Sequence, residues 1–268
     1  MTMKKIVLAD GAVGTNMLKV NNQMPPDKLS VINTIQLYNL HKNFIDAGAE
    51  IVTTNTFNCH PLTLSKYKLE SEIEKIIKSA VTLAQKAADG TSAMVSGSIG
   101  ATAIGLSLDR MHENKLREGF GQQFQLFEQS GVDYVTLETF YDAETLRVAI
   151  ESYVELAIKT PLIVMCTVDG MGNLYSGATM ADVWRIVSIA KPYAVGLNCS
   201  SGVGSIVKPL ERLSTFANCK IIARPNKVKG ELWAETMAEL GRSGVADILG
   251  GCCGVEPSDI KKLGHLLR

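Results

Sequence analysis

The sequence carries no excess of charge of either sign. Its 27 basic residues balance 27 acidic ones, and the isoelectric point is near 6.9. Proteins that bind nucleic acid present clustered lysine and arginine, because each phosphate contact needs a positive partner. Without such clusters, we expect a protein that acts on small molecules or other proteins and binds no nucleic acid.

Long apolar runs and abundant cysteine are also lacking. No run reaches the roughly 18 to 20 residues that a membrane span requires, and the first residues show no signal-peptide cleavage pattern. Six cysteines in 268 residues are too few for a fold held together by disulfides. We therefore expect a cytoplasmic protein without a membrane partner, in which unusual cysteine placement indicates metal binding or catalysis.

Eight short apolar runs, rich in β-branched residues, predict eight strands. Longer segments with helical apolar spacing separate them, and several of these end in a glycine just before the next strand. The mean repeat is 268/8, or about 33 residues, which fits a (β/α)8 barrel of roughly 250 residues. The predicted strands read KIVLADG, AEIVTTNTF, AMVSGSIG, VDYVTLETF, PLIVMCTVD, YAVGLNCS, CKIIARPN and ADILGGCCG.

The predicted fold class is therefore α/β, a (β/α)8 TIM barrel formed by a single domain over residues 1–268. Strands that are apolar almost throughout suit a parallel sheet covered by helices on both faces. An open, doubly wound sheet shares this pattern and is the alternative. Eight successive units, with no linker and no sign of a second domain, favour the closed barrel.

Polar and sulfur-bearing residues gather where the predicted strands end. In a barrel of this kind the carboxyl ends of all strands share one mouth, and the loops there carry the active site. We therefore expect these residues to face a common opening. They are Asp10, Thr15, Asn55, Ser96, Ser98, Glu138, Thr139, Asn198, Cys199, Asn226, Cys252 and Cys253.

Three cysteines of this set predict a metal site. Cys252 and Cys253 are adjacent in the stretch LGGCCGVEPSD, and Cys199 ends the sixth strand. Thiolates select zinc among the common ions, and three protein ligands leave the fourth tetrahedral position open for a substrate. A negatively charged zinc site of this type favours a bound thiol, which would attack an alkyl carbon. The alternative is that the three cysteines are small buried apolar residues.

The remaining candidates have two interpretations each. Glu138 ends an apolar strand, where an unpaired carboxylate is costly to bury, so its partner is either a substrate ammonium or an internal lysine or arginine. Asp10 in DGAVGT could hold an α-amino acid group or close a simple turn. Asn55, Asn198 and Asn226 could bind a ligand or satisfy loop backbone.

Taken together, the motifs resemble the homocysteine S-methyltransferase family nearly end to end. The run FYDAETLRVAI after Glu138 is most similar to the homocysteine-binding domain of cobalamin-dependent methionine synthase. GLNCS and GGCCG together are the most specific part of the resemblance. The matching segments are DGAVGT (10–15), GAEIVTTNTF (48–57), SGSIG (96–100), GVDYVTLETF (131–140), GLNCS (196–200) and GGCCG (250–254).

The resemblance implies a barrel with zinc held by the three cysteines and homocysteine sulfur as the fourth ligand. It places the amino acid end of homocysteine against Glu138 and the loop of Asp10 and Gly11. The methyl donor would be a sulfonium such as S-methylmethionine or a methylcorrinoid carried by a separate protein, and the product would be methionine. Further substrate contacts are expected at Asn55, Ser98, Thr139, Asn198 and Asn226.

Two departures from the family pattern concern the methyl donor. The usual SGSIGP reads SGSIGA, and the usual PNAG-like loop reads PNKVKG, so the rim that meets the donor is altered. Two other hypotheses stay open. One is a methyltransferase that acts on another small thiol, and the other is a non-catalytic subunit that docks a corrinoid protein.

Overall fold

The computed structural model of the chain describes residues 5–102 and 110–268, so part of the predicted domain, residues 1–4 and 103–109, lies outside it. Eight strands, all parallel, form its centre. Each lies within one predicted apolar run, so all eight predicted strands are confirmed. They are β1 (Val7–Leu8), β2 (Ile51–Thr53), β3 (Met94–Gly100), β4 (Tyr134–Phe140), β5 (Leu162–Cys166), β6 (Ala194–Cys199), β7 (Lys220–Pro225) and β8 (Ile248–Leu249).

The sheet closes on itself. Its strands follow the order β1-β8-β7-β6-β5-β4-β3-β2, and a parallel bridge between Ala9 and Ile51 joins the two ends. The Glu50 amide donates to the carbonyl of Leu8 at 2.7 Å, and the Asp10 amide donates to that of Ile51 at 2.9 Å. The prediction of a single-domain (β/α)8 barrel is confirmed, and the alternative of an open sheet is wrong.

Helices surround the strands. A helix of at least eight residues follows each strand, as predicted, and the first two βα connections contain the additional helices α1, α2 and α4. The helices are α1 (Val13–Val20), α2 (Leu29–Ile32), α3 (Thr34–Asp46), α4 (Pro61–Leu64), α5 (Ile73–Ala88), α6 (Arg110–Gln129), α7 (Ala143–Glu155), α8 (Met180–Val187), α9 (Val203–Ser214), α10 (Trp233–Arg242) and α11 (Pro257–Leu266).

Two apolar layers follow from the alternation of side chains along each strand. In β5, Ile163 and Met165 point into the barrel, whereas Leu162, Val164 and Cys166 pack against the helices. All five residues are buried, which explains why this strand is apolar throughout. No helix in the described part of the chain is long and apolar enough to cross a membrane.

The predicted glycine turns also occur. Four glycines that precede strands have φ angles between 66° and 105°, which residues with a Cβ atom rarely adopt. These short turns bring each helix back to the start of the next strand, so all strands point their carboxyl ends the same way. The four are Gly48, Gly90, Gly131 and Gly244.

Candidate active site

The three predicted cysteines meet at the carboxyl ends of β6 and β8. Their sulfurs all lie within 4.8 Å of one another, and Cys199 Sγ is 2.9 Å from Cys252 Sγ. Cys199 and Cys252 are half-buried and Cys253 is exposed. Within the residues that the structure describes, this is the one group of three or more side chains that could hold a metal ion.

Unusual backbone conformations aim Cys199 at this cluster. Cys199 and the following Ser200 both have left-handed φ angles, 55° and 59°, which are uncommon for residues other than glycine. Such conformations cost free energy and persist where the surrounding structure holds them in place. Here the backbone amide of Asn226 donates to the Cys199 carbonyl at 3.1 Å, and the backbone amide of Cys252 donates to the Pro225 carbonyl at 3.0 Å.

The thiols influence one another electrostatically. Hydrogen bonds from Cys199 and Cys252 lower the pKa of Cys253 to about 3, because they stabilise its thiolate. The pKa of Cys199 is raised, since its proton is held in the contact with Cys252 and its sulfur is mostly buried. Three clustered cysteine sulfurs are the donor set that a soft divalent cation binds.

Asn226 joins the two cysteine loops. Its Nδ2 donates to the Ser200 carbonyl at 2.9 Å, and its Oδ1 accepts from the Cys253 amide at 3.0 Å. Both ends of the side-chain amide are therefore engaged with backbone. The structure thus places Asn226 beside the cysteines as a link between the ends of β6 and β8, outside the wall of the neighbouring cavity.

A bulge in β4 presents Glu138 and Thr139 to the barrel mouth. The pairing register with β5 shifts between Leu137 and Phe140, and Thr139 has a φ of 61°, a strained value for a β-branched residue. Asn198 holds this conformation through two hydrogen bonds to Thr139. Its Oδ1 accepts from the Thr139 amide and its Nδ2 donates to Thr139 Oγ1, each at 2.8 Å.

Glu138 is a buried carboxylate beside the cysteines. Ser98 Oγ donates to one of its oxygens, and Asn198 Nδ2 makes a long 3.4 Å contact with the other. Burial raises the pKa of Glu138, the charge of Arg224 opposes the rise, and the nearby Cys252 adds to it. Among the described residues, no lysine, arginine or histidine forms an ion pair with Glu138, so the internal lysine or arginine that was one of its two expected partners is not in direct contact.

The predicted residue Asp10 does have an internal cation, which the sequence did not reveal. Its Oδ1 accepts from Arg224 Nη2 at 2.6 Å and from Thr53 Oγ1 at 2.9 Å, while the Thr53 amide donates to Oδ2 at 2.7 Å. Burial raises the pKa of Asp10 to about 6, and the guanidinium opposes the rise. The guanidinium and both donor groups of Thr53 favour the ionised form of this carboxyl.

Arg224 is a functional-site residue that the sequence analysis missed. It lies near the end of β7, is only 4% exposed, and contacts the ends of β1, β2 and β8. Its Nε donates to the Gly251 carbonyl at 3.1 Å, next to the paired cysteines. A basic residue inside the apolar run CKIIARPN was the available signal, because a buried charge requires a partner.

These residues line a cavity of about 230 Å³ at the barrel mouth. The cysteines and Glu138 lie in the same wall, so a ligand in the cavity can contact sulfur and carboxylate together. Nine predicted residues border it. Asn198 and Asn226 lie outside its wall and form hydrogen bonds with residues of that wall, Thr139 and Cys253 respectively. The nine are Gly11, Thr15, Asn55, Ser98, Glu138, Thr139, Cys199, Cys252 and Cys253.

Two of these nine residues also form hydrogen bonds within the protein. Asn55 Nδ2 donates to the Pro26 carbonyl at 2.6 Å and to Ser30 Oγ at 3.2 Å, so it ties the first βα connection over the cavity. The carbonyl of Gly11 accepts from Arg224 Nη2 at 3.2 Å. Both residues shape the cavity through these contacts.

Comparison with known proteins places this architecture among methyltransferases. The family model for homocysteine S-methyltransferase matches residues 7–267 of the chain. The metallated form of the homocysteine methyltransferase MmuM from Escherichia coli superposes with a TM-score of 0.85 at 21% identity, over 98% of this chain and 96% of that one. The oxidized form of the same protein gives 0.84 at 19% identity, over 97% and 95%. At such identities the structural likeness shows the fold alone.

The family match extends over nearly the whole chain and includes all of the residues around the cavity. It confirms the resemblance seen in the sequence motifs, from DGAVGT to GGCCG. The chain belongs to the homocysteine S-methyltransferase family and is an enzyme of that class.

Proposed function

We propose that this chain is a zinc-dependent S-methyltransferase that converts homocysteine to methionine, with residues 1–268 as one homocysteine-binding barrel. The observation that supports this best is the shared wall of the cavity. Three clustered sulfurs and a buried carboxylate without an ionic partner among the described residues face one small space. A thiol and an ammonium group on one short molecule match that pair of features.

The donor set fits zinc. Three thiols at one point are a donor set that zinc prefers, and the three sulfurs here all lie within 4.8 Å of one another. Cys199, Cys252 and Cys253 would hold the ion and leave one position open. When bound, zinc would lower the pKa of a substrate thiol and hold it as a nucleophilic thiolate.

The cavity fits a small amino acid. Its volume of about 230 Å³ is below the roughly 300 to 1,000 Å³ typical of sites for drug-sized ligands. Glu138 would bind the substrate ammonium, and Ser98 and Asn198 would keep its oxygens in place. Gly11, Asn55 and Thr139 would contact the rest of the molecule from the wall.

The chemistry of the chain is then to position a thiolate. The homocysteine sulfur would form a bond to the methyl carbon of the donor, and the bond from that carbon to the donor would break with its electron pair leaving on the donor. Glu138 fixes the amino acid end, so the sulfur is held at one place by two contacts. Such positioning lowers the entropic cost of the reaction.

The donor would be a sulfonium such as S-methylmethionine or a methylcorrinoid on a separate protein. The test is a methyl-transfer assay with homocysteine and each donor, run on wild-type protein and on Cys252→Ala. We expect methionine from one of the donors, about one zinc per wild-type chain, and loss of both in the variant. Zinc binding without methionine formation from either donor would refute homocysteine methylation and point to another small thiol.

A further inference from the structure

One hydrogen of the buried Arg224 side chain has no acceptor among the described residues. A guanidinium has five N–H groups. Nε donates to the Gly251 carbonyl, and Nη2 contacts three oxygens of Asp10 and Gly11. Nη1 carries two hydrogens but makes one bond, to Thr53 Oγ1 at 2.8 Å. A buried donor without a partner is costly, so this hydrogen needs an acceptor.

A ligand in the cavity can supply this acceptor, because Arg224 borders the same cavity as Glu138 and the cysteines. The charge of Arg224 also acts on Glu138 and on Cys252, which border the same cavity. The cavity therefore presents a cation, an anion and a sulfur cluster to one ligand. A free amino acid thiol carries the complement, namely a carboxylate, an ammonium and a thiol.

We propose that Arg224 binds the carboxylate of the amino acid substrate through Nη1, while Glu138 binds its ammonium. This inference rests on the proposed function and adds the group that makes the site specific for an amino acid. Asp10 takes part indirectly, because its ion pair with Nη2 fixes the plane of the guanidinium. Without the carboxylate, a thiol loses one charge-assisted contact but keeps the other two.

The competing role for Arg224 is purely structural. Its bonds to Asp10, Thr53 and Gly251 join the ends of β1, β2, β7 and β8, and a brace of this kind needs no ligand. The two roles predict different substrate selectivity. A brace affects every thiol alike, whereas a carboxylate-binding residue affects only thiols that have a carboxylate.

The test compares homocysteine with 3-aminopropane-1-thiol, which has the same thiol and amine and a hydrogen in place of the carboxylate. Binding is followed by the absorption spectrum of the cobalt-substituted protein, which changes when a thiolate is added to the metal. For wild-type protein we expect homocysteine to bind roughly 10- to 100-fold more tightly, as for a charge-assisted hydrogen bond. Equal binding of the two thiols would overturn the inference without any variant.

Variants sharpen the comparison. Arg224→Lys keeps the positive charge but loses the planar set of N–H donors of the guanidinium. We therefore expect homocysteine to bind at least roughly tenfold more weakly, while the analogue binds as before. Removing one member of a buried ion pair is destabilising, so the double variant Asp10→Asn, Arg224→Gln provides a second measurement with no unpaired charge. Arg185→Gln, at an exposed site in α8, is the matched control.

The outcomes separate this inference from the proposed function. If both thiols weaken equally in the Arg224 variants, Arg224 is a brace, and the homocysteine site stands. If neither thiol changes the cobalt spectrum of wild-type protein, the thiol site itself fails and takes the carboxylate assignment with it.

Discussion

Glu138 combines two properties that rarely occur together in a stable protein. It is buried, and among the described residues its charge is met by hydrogen bonds and a more distant guanidinium without an ion pair. Proteins tolerate such carboxylates mainly at sites where a ligand supplies the missing charge. At the scale of the single residue, this makes Glu138 the side chain with the clearest expected effect on substrate binding.

We predict that Glu138→Gln weakens homocysteine binding roughly 10- to 100-fold, because a neutral amide loses a charge-assisted hydrogen bond to the ammonium. The measurement is a thiol titration of the metal-loaded protein. Glu235→Gln removes a half-buried carboxylate outside the cavity, whose partner is Lys262, and it should leave the affinity unchanged. Unaltered binding in Glu138→Gln would show that the ammonium is held elsewhere.

His41 is a second buried titratable group, outside the wall of the cavity. It lies in α3, is fully buried, and neither ring nitrogen has a hydrogen-bond partner among the described residues. Burial lowers its pKa from 6.5 to about 4. The unfolded chain therefore takes up this proton at higher pH than the folded one, and stability falls as the pH drops below 6.5.

We predict that His41→Leu reduces the loss of stability in acid. At about pH 5 the wild-type histidine costs about 2 kcal/mol of unfolding free energy, since each pH unit below the unfolded pKa costs about 1.36 kcal/mol. Urea unfolding at about pH 8 and about pH 5 measures the difference. His265→Gln, on the exposed side of α11, should lose as much unfolding free energy between these two pH values as the wild type does. An equal loss in His41→Leu would contradict the role of His41 in acid destabilisation.

At the scale of the elements, the contact between β6 and β7 is unusually close at Gly196. A Cβ at this position would lie 1.8 Å from the carbonyl oxygen of Ile222, which is backbone and cannot rotate away. Both strands carry site residues at their ends, Cys199 on β6 and Arg224 on β7. The glycine thus allows the spacing that brings those residues together.

We predict that Gly196→Ala destabilises the protein by at least about 3 kcal/mol, because the two strands must separate to admit the methyl group. Gly204→Ala is the matched control, since nothing lies within 4 Å of a Cβ there and alanine favours α9 by about 0.5 to 1 kcal/mol. Denaturant melts of both variants give the comparison. Equal stability of the two would contradict the tight approach of β6 and β7.

The loops that follow β6 and β8 depend on Asn226, and we predict that Asn226→Ala weakens zinc binding roughly 10- to 100-fold. The alanine leaves the Cys253 amide and the Ser200 carbonyl without their side-chain partner, so the two loops no longer hold the sulfurs together. Competition with a chelator measures the affinity. Asn43→Ala, on the exposed face of α3, should bind zinc like the wild type; a normal affinity in Asn226→Ala would make the link dispensable.

At the scale of the whole molecule, zinc would connect two distant parts of the chain. We predict that free zinc at about 1,000-fold above its dissociation constant stabilises the protein by about 4 kcal/mol, which raises the Tm by roughly 8 to 16 °C. Thermal melts with and without zinc measure the shift. Cys252→Ala should show a much smaller one, and an equal shift in that variant would place the stabilising ion elsewhere.

The barrel could be predicted from the sequence because its signals are local. Runs such as PLIVMCTVD are apolar throughout since both faces of β5 are buried, and glycines such as Gly131 mark the return turns. The cysteine site also had a local sign, the adjacency of Cys252 and Cys253. Its third member, Cys199, followed once the strands were counted, because all strand ends share one mouth.

Arg224 could not be placed in the same way. Its partner Asp10 is 214 positions away in the sequence, and their contact depends on the register of β7, β8 and β1 at the closure of the barrel. The roles of Asn198 and Asn226 stayed open for a related reason. Whether an amide binds ligand or backbone depends on which groups the neighbouring loops present, and that is set by the bulge at Thr139 and the backbone at Cys199.

The barrel has few strand-pairing contacts on either side of β1, next to Asp10 and the candidate active site. β1 and β8 share two residue pairs, and one bridge at Ala9 closes β1 to β2, whereas β3 and β4 share five pairs. Local opening along this seam costs less free energy than global unfolding. Such an opening would separate Asp10 from Arg224 and dismantle the cavity while most of the sheet stays paired, so the protein could lose its activity while it still appears folded.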